Sequence, residues 1–131
     1  MSPKFSAIGV DIVEIKRLER VSKKWGKSFL NKVYTARELA YSRSKRFPYQ
    51  HLAARFAAKE AIFKALGEVE TDFVGWKNVE ILNNPYGRPL VYWHAAALKT
   101  KNKRCITDAV VSLSHTENYA VATAMLVFGK R

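Results

Sequence analysis

Two acidic residues and one lysine are the side chains of this sequence best suited to phosphate chemistry. Asp11 lies inside the otherwise apolar stretch 5–13, where a carboxylate is unfavourable unless it is paired or bound to a cation. Glu60 and Lys64 lie one helical turn apart in an alanine-rich stretch. If that helix packs against the strand carrying Asp11, two carboxylates meet beside a cation. Two hard oxygen ligands with open positions suit Mg²⁺, which keeps several waters and shares substrate phosphates.

Each of these residues also has an interpretation without chemistry. An aspartate at the end of a strand often caps the helix that follows it. A Glu60–Lys64 pair in the order i, i+4 stabilises an isolated helix by only about 0.3 kcal/mol, and it is common on exposed helix faces. The types and spacing of these residues alone leave both interpretations open.

Other catalytic and metal-binding signatures are absent from the sequence. The chain has no His-x-x-x-His pattern and no multi-cysteine zinc pattern, since its one cysteine is Cys105. It has neither a phosphate-binding glycine loop nor a Gly-x-Ser-x-Gly nucleophile turn. His115 follows an apolar stretch, at a strand end where binding residues commonly lie, although a lone histidine there is more often a structural residue.

The elements that must position these residues follow from hydrophobic patterning and helix-end signals. The predicted elements are a strand over 5–13, a basic amphipathic helix from 15 to about 26, helices over 36–44 and 49–66, strands over 76–82 and 90–93, a helix over 94–101, and strands over 109–114 and 119–128. Thr35 and Glu38 have the spacing of a capping box, and Gly67 is a candidate left-handed helix cap. We therefore predict a single α+β domain over 1–131, with an antiparallel sheet packed against the long alanine-rich helix.

Composition and charge restrict the function classes. The chain has 131 residues, of which 48% are hydrophobic, so intrinsic disorder is excluded. No apolar run approaches the roughly 20 residues that span a bilayer. One lone cysteine fits a reducing compartment, so we expect a cytoplasmic protein that does not use membranes. With 23 Lys and Arg against 11 Asp and Glu, the net charge of +12 predicts an acidic partner.

Two other functions also fit a basic chain. A basic nucleic-acid-binding domain matches the charge and the interleaved aromatic residues, but no recognition motif organises the charge, and Asp11 and Glu60 would repel phosphates without a metal. A metal nuclease is the second alternative, because trios of aspartate, glutamate and lysine occur there. Such sites usually carry the lysine on a strand close to the glutamate, whereas Lys64 follows Glu60 by four residues along a predicted helix.

Three separated blocks of the sequence resemble the 4′-phosphopantetheinyl transferases. The blocks are GVDIVEIKR at 9–17, RFAAKEAIFKALG at 55–67 and SLSHTENYAVA at 112–122. The turn NPYGRP at 84–89 is similar to the family's Asn…Gly-Lys/Arg-Pro turn. Each block is modest evidence by itself, but their order and spacing over nearly the whole chain are typical of the small bacterial type of this family.

The resemblance implies transfer of 4′-phosphopantetheine from coenzyme A to a serine of an acidic acyl carrier protein in fatty-acid biosynthesis, with release of adenosine 3′,5′-bisphosphate. It implies that Asp11 and Glu60 hold Mg²⁺ and that Lys64 stabilises the leaving group. Glu60, or a metal-bound water beside it, is the candidate base for the serine proton. The candidate contacts for coenzyme A phosphates are Arg55, Lys59, Lys64, Arg88 and His115. The candidate docking residues for the carrier are Arg17, Arg20, Lys23 and Lys24.

One position separates the small type from the larger members of the superfamily. The larger members carry Asp-x-Glu in the first block, whereas this chain has Val13 in place of the glutamate. The small type shows the same replacement. The resemblance therefore implies a homotrimer whose active sites lie between neighbouring subunits. It also implies partnership with coenzyme A and a carrier protein, without nucleic acid or membrane.

Overall fold

A computed structural model describes residues 5–67 and 75–129 of the chain. The elements are β1 (Phe5–Glu14), α1 (Ile15–Trp25), α2 (Lys27–Val33), α3 (Ala36–Arg43), α4 (Pro48–Ala65), a 3-10 turn (Trp76–Asn78), β2 (Val79–Asn83), β3 (Pro89–Trp93), α5 (Ala95–Lys103), β4 (Ile106–His115) and β5 (Tyr119–Phe128). Within these two segments no helix combines the length and the apolar character needed to cross a bilayer.

The strands form two antiparallel units. β1, β5 and β4 make a three-stranded sheet with β5 in the centre, and β2 pairs with β3 as a separate hairpin. Side chains alternate between the faces of β5, so Ala120, Ala122, Ala124 and Leu126 are buried beneath the helices. The three alanines leave space for a helix to lie close to the sheet.

Helix α4 occupies that space. Its alanine face is fully buried at Ala57, Ala58 and Ala61, and the helix packs across β1 and β5. The closest approach is at Gly9 of β1, where an added Cβ atom would lie 1.9 Å from the carbonyl oxygen of Ala61. Only glycine permits this contact, because any side chain would collide with the helix backbone. The strand and the helix are therefore pressed together two residues before Asp11.

The α+β fold with an antiparallel sheet and a long alanine-rich helix is confirmed. The capping box is present, since Thr35 Oγ1 accepts from the Glu38 amide and Glu38 Oε1 accepts from the Thr35 amide. Gly67 adopts a φ of 70° just after α4, as a left-handed cap requires. The strand over 119–128 has the predicted bounds.

One local prediction is wrong, and one helix is missing from the predicted elements. Residues 76–78 form a 3-10 turn instead of the start of a strand, and the strand begins at Val79. Helix α2 was not predicted, because it has only seven residues and directly follows Gly26, whose φ of 57° ends α1 and redirects the chain. Such a short helix has little patterning of its own and depends on packing against its neighbours.

Candidate active site

The two candidate carboxylates line one cavity of about 540 Å³, which we call the carboxylate cavity. Asp11 projects from β1 and Glu60 from α4, so the close packing at Gly9 brings together residues far apart in sequence. The apolar part of the wall comes from Leu18 and Val21 of α1, Phe29 of α2, Phe56 of α4, Ile12, Val13 and Tyr119. The cavity therefore combines an acidic edge with an apolar wall.

Lys64 connects the helix to the strand at this acidic edge. Its Nζ donates to the Val10 carbonyl and to Asp11 Oδ1, both at 3.0 Å. Asp11 does not cap α1, because the capping position is Glu14 and no side chain makes a cap hydrogen bond there. The interpretation of Asp11 as a helix cap is therefore wrong. The strand carboxylate faces α4.

Burial and the charge of Asp11 both affect the pKa of Glu60. Partial burial raises the pKa of Glu60, the Asp11 charge raises it further, and Lys64 opposes both effects. In the segments 5–67 and 75–129, no cluster of three or more His, Cys, Asp or Glu side chains is placed to hold a metal. A site here would thus have two protein carboxylates, which fits Mg²⁺ because this ion takes its other ligands from water and phosphates.

A second cavity, of about 280 Å³, lies on another side of α4 and contains the candidate phosphate contacts Arg55 and His115. It is also lined by Tyr41 and Gln50, by His51 and by Asn83. His115 is exposed at the end of β4, with Nδ1 3.4 Å from the Thr116 carbonyl. We call this space the anion cavity. It shares no lining residue with the carboxylate cavity.

Arg55 forms the floor of the anion cavity. Its Nε donates to the Ile81 carbonyl at 3.1 Å, one terminal nitrogen donates to Asn83 Oδ1, and the guanidinium stacks 4.3 Å from the centre of the Tyr41 ring. Burial lowers the pKa of Arg55, although the side chain stays a cation. These contacts hold a positive charge rigidly at the base of the cavity.

Lys59 does not belong to either cavity, which corrects its assignment as a phosphate contact. The side chain is completely buried, and its Nζ donates to Glu38 Oε1 at 2.9 Å, to the Trp76 carbonyl at 2.8 Å and to the Val79 carbonyl at 2.7 Å. An ammonium group has three N–H donors, so none is left for a ligand. Burial lowers the pKa of Lys59 while the Glu38 charge raises it. Lys59 therefore stabilises the fold by joining α4 to α3 and β2.

We expect Lys59→Met to lower the free energy of unfolding by about 3 to 5 kcal/mol, because it leaves the Glu38 carboxylate buried and unpaired. Denaturant unfolding measures the change without any substrate. Lys77→Met, which removes an exposed lysine, is the matched control and should change stability by less than about 0.5 kcal/mol. Unchanged stability with weakened coenzyme A binding would return Lys59 to the binding site.

The remaining candidates lie on the surface. Arg17 lines the carboxylate cavity from α1. Arg20 is 3.4 Å from Glu14, and Lys23 pairs with Glu19 at 2.8 Å, so both are partly neutralised. Lys24 is exposed next to the Trp25 ring. Arg88 is exposed in the β2–β3 turn and lines neither cavity.

Sequence patterning missed a network of charged and polar groups around the buried Glu80. Glu80 is 2% exposed and accepts from Thr35 Oγ1 at 2.5 Å and from Arg37 at 2.7 Å, with His94 Nε2 at 3.0 Å. Burial opposes ionisation of Glu80, but these hydrogen bonds and the Arg37 charge lower its pKa to about 2. Nothing in the local sequence marks such a glutamate, because its partners come from other elements.

Comparisons with known proteins agree with this geometry. A family model for the 4′-phosphopantetheinyl transferase superfamily matches residues 7–124. The chain is 43% identical to a holo-[acyl-carrier-protein] synthase of Syntrophus aciditrophicus, over 90% of this chain and 92% of the relative. It is 45% identical to the enzyme of the same name from Chlorobaculum parvum, over 91% of this chain and 96% of the relative.

Solved structures show the same fold. The holo-[acyl-carrier-protein] synthase of Neisseria meningitidis superposes with a TM-score of 0.83 and 33% identity, over 92% of this chain and 96% of that chain. The Helicobacter pylori synthase, solved in complex with coenzyme A, superposes with a TM-score of 0.80 and 27% identity, over 91% and 98% of the two chains. The sequence match over most of its length and the shared fold establish that the chain belongs to the 4′-phosphopantetheinyl transferase superfamily.

Proposed function

We propose that this protein transfers 4′-phosphopantetheine from coenzyme A to a serine hydroxyl of an apo-acyl carrier protein. The observation that carries the proposal is the pair Asp11 and Glu60 at one cavity edge, with Lys64 bonded to Asp11. Relatives named holo-[acyl-carrier-protein] synthase and a related structure in complex with coenzyme A support the choice of substrates. We further propose that the carrier serves fatty-acid biosynthesis.

In the reaction, the serine oxygen attacks the β-phosphorus of the coenzyme A pyrophosphate. The bond from that phosphorus to the bridging oxygen breaks, and adenosine 3′,5′-bisphosphate leaves. Such a transfer needs an aligned hydroxyl, an acceptor for its proton and stabilisation of charge on the phosphates. The chain offers groups for each of these needs around the carboxylate cavity.

Asp11 and Glu60 are the residues proposed to hold Mg²⁺. When bound, the ion supplies positive charge to the pyrophosphate oxygens. Lys64, half-exposed and within reach of this edge, is proposed to bind the α-phosphate side and to stabilise the leaving group. Glu60 is proposed to accept the serine proton, directly or through a water beside it.

The direct test is a transfer assay with purified protein, coenzyme A, Mg²⁺ and an apo-acyl carrier protein. We expect a mass gain of one phosphopantetheine group on the carrier serine. Carriers from fatty-acid and polyketide synthesis, compared by kcat/KM, test the pathway. If no carrier is modified under any divalent-metal condition, the proposed activity is refuted.

Helix α1 is proposed to dock the carrier through Arg17 and Arg20, with Lys23 and Lys24 at the rim. Acyl carrier proteins are acidic, and a basic surface next to the reaction centre steers an acidic partner. Arg17 is expected to contribute most, because it lines the carboxylate cavity while Arg20 and Lys23 already have acidic partners on the chain.

We expect Arg17→Glu to raise the KM for the carrier by about tenfold while the KM for coenzyme A stays within about twofold. Lys24→Glu should have a smaller effect, and Lys99→Glu on α5 is the control for the same charge change at a residue that lines neither cavity. Raised ionic strength should reduce the difference, because screening acts over about 8 Å at physiological salt. Equal losses for both substrates would argue against docking by Arg17.

The protein is also proposed to act as a homotrimer with active sites shared between chains. The outer face of the sheet exposes Ile8, Val10, Ile12, Val110 and Met125, whose exposed fractions range from 37% to 68%. A contiguous apolar face of this kind usually marks an interface. Moreover, the carboxylate cavity and the anion cavity are separate in one chain. A site that uses both can be completed by a neighbouring copy.

Light scattering should give three chains per particle. The sharper test mixes two inactive variants, Glu60→Gln and His115→Ala, by refolding them together. If one chain supplies the carboxylates and another supplies the anion cavity, some mixed particles contain one intact site, and transfer activity should return. If each site lies within one chain, the mixture should stay inactive.

A further inference from the structure

His51 is a half-buried histidine in the wall of the anion cavity that the resemblance does not use. It lies on α4 one turn before Arg55 and lines the cavity together with Arg55 and His115. Its ring meets the Tyr41 ring edge-on, with centroids 5.8 Å apart and an angle of 79°. Its carbonyl oxygen accepts from Arg55 at 3.4 Å. The imidazole therefore packs against α3 in the wall of the cavity.

The charged and titratable groups that face His51 come from every neighbouring element. They are Tyr41 from α3, Lys45 from the α3–α4 connection, Arg55 from α4 and His115 from the end of β4. None of the four has a carboxylate that would favour the charged imidazole. Burial lowers the pKa of His51, and the charges of Arg55, His115 and Lys45 lower it further. Both effects favour the neutral imidazole in the free protein.

An anion bound in this cavity would favour the protonated form of His51 instead. A phosphomonoester carries nearly two negative charges at neutral pH, whereas each phosphate of a pyrophosphate diester carries one. The Arg55 guanidinium provides a permanent cation at the base of the cavity. Negative charge beside a histidine favours its protonated form.

We propose that His51 is a further binding residue for coenzyme A, and that it takes up a proton when the 3′-phosphomonoester of coenzyme A binds in the anion cavity. This inference rests on the proposed function, because it takes coenzyme A as the ligand. It makes substrate binding depend on pH through a histidine outside the reaction centre.

The direction of the pH dependence follows from the two pKa values of His51. Since the bound phosphate raises the pKa, a proton is taken up at any pH between the free and the bound value. Affinity for coenzyme A then rises as pH falls through that window, by at most about tenfold per pH unit for one proton, and levels off below the free value. The phosphomonoester's own second proton acts in the opposite direction, because a cationic cavity prefers the dianion. Only the first effect requires His51.

The test counts protons by titration calorimetry at pH 7, with Mg²⁺ and without carrier, in two buffers of different ionisation enthalpy. The two ligands are coenzyme A and 3′-dephospho-coenzyme A, which lacks the phosphomonoester. We expect wild-type protein to take up more protons with coenzyme A, by roughly half a proton or more. In His51→Gln this excess should disappear. His94→Gln, a histidine outside the anion cavity, should behave as wild type.

Each other outcome contradicts a definite statement. Equal proton uptake by wild type and His51→Gln on binding coenzyme A would overturn the role of His51, because the phosphomonoester's own proton contributes equally in both proteins. The NMR titration of the His51 ring in wild type gives a second measure, because its pKa must rise on addition of coenzyme A. If wild-type protein does not bind coenzyme A at all, the proposed function itself fails.

Discussion

Glu60→Gln is expected to reduce phosphopantetheine transfer by about 10³-fold or more, because it removes both a metal-holding charge and the candidate base. The amide has nearly the same size and the side chain is only half-buried, so the free energy of unfolding should change by less than about 1 kcal/mol. The measurement is the single-turnover rate of carrier modification at saturating coenzyme A, together with a denaturant unfolding curve.

Two further variants test whether the loss depends on the carboxylates of the site. Asp108→Asn is the control. It also replaces a carboxylate with an amide, but Asp108 is exposed near the start of β4, and this variant should keep its activity. Asp11→Asn should lose activity as Glu60→Gln does, and it should also lower the pKa of Glu60, since the Asp11 charge helps to raise it. Full activity in Glu60→Gln would remove this residue from the site and leave the anion cavity as the main feature.

Gly9→Ala is expected to lower the free energy of unfolding by about 3 kcal/mol or more, because its Cβ atom would overlap the Ala61 carbonyl. That oxygen belongs to the α4 backbone and cannot turn aside as a side chain would, so strand and helix must separate. Asp11 lies two residues further along β1 and Glu60 lies next to Ala61. We therefore expect transfer to fall even in the protein that remains folded.

Denaturant unfolding and the transfer rate, measured at a temperature where the variant is folded, separate the two effects. Ser6→Ala adds no new contact on the same strand and is the matched control, with an expected change of less than about 0.5 kcal/mol. A Gly9→Ala protein with unchanged stability would show that β1 and α4 are not packed as closely as described. A destabilised protein with full activity per folded chain would show that this packing does not position the carboxylates.

The sequence alone determined the features that depend on signals within short segments. Alanines without internal glycine or proline specify α4, Thr35 and Glu38 specify the start of α3, and alternation specifies β5. Local signals of this kind act within one turn or one strand, so they survive without knowledge of the rest of the fold. The order of three motifs was sufficient to indicate the family.

The tertiary structure decided which charges are free to bind a ligand. Lys59 and Lys64 look alike in the sequence, yet Lys59 is buried with Glu38 and two carbonyls while Lys64 reaches Asp11 at the cavity edge. His51 carried no signal, because its neighbours in the anion cavity come from α3, β2 and β4. Burial and charge pairing depend on contacts between distant segments. Local patterning cannot assign burial or charge pairing, since the same type of side chain can bind a ligand at the surface or serve as a structural cation in the core.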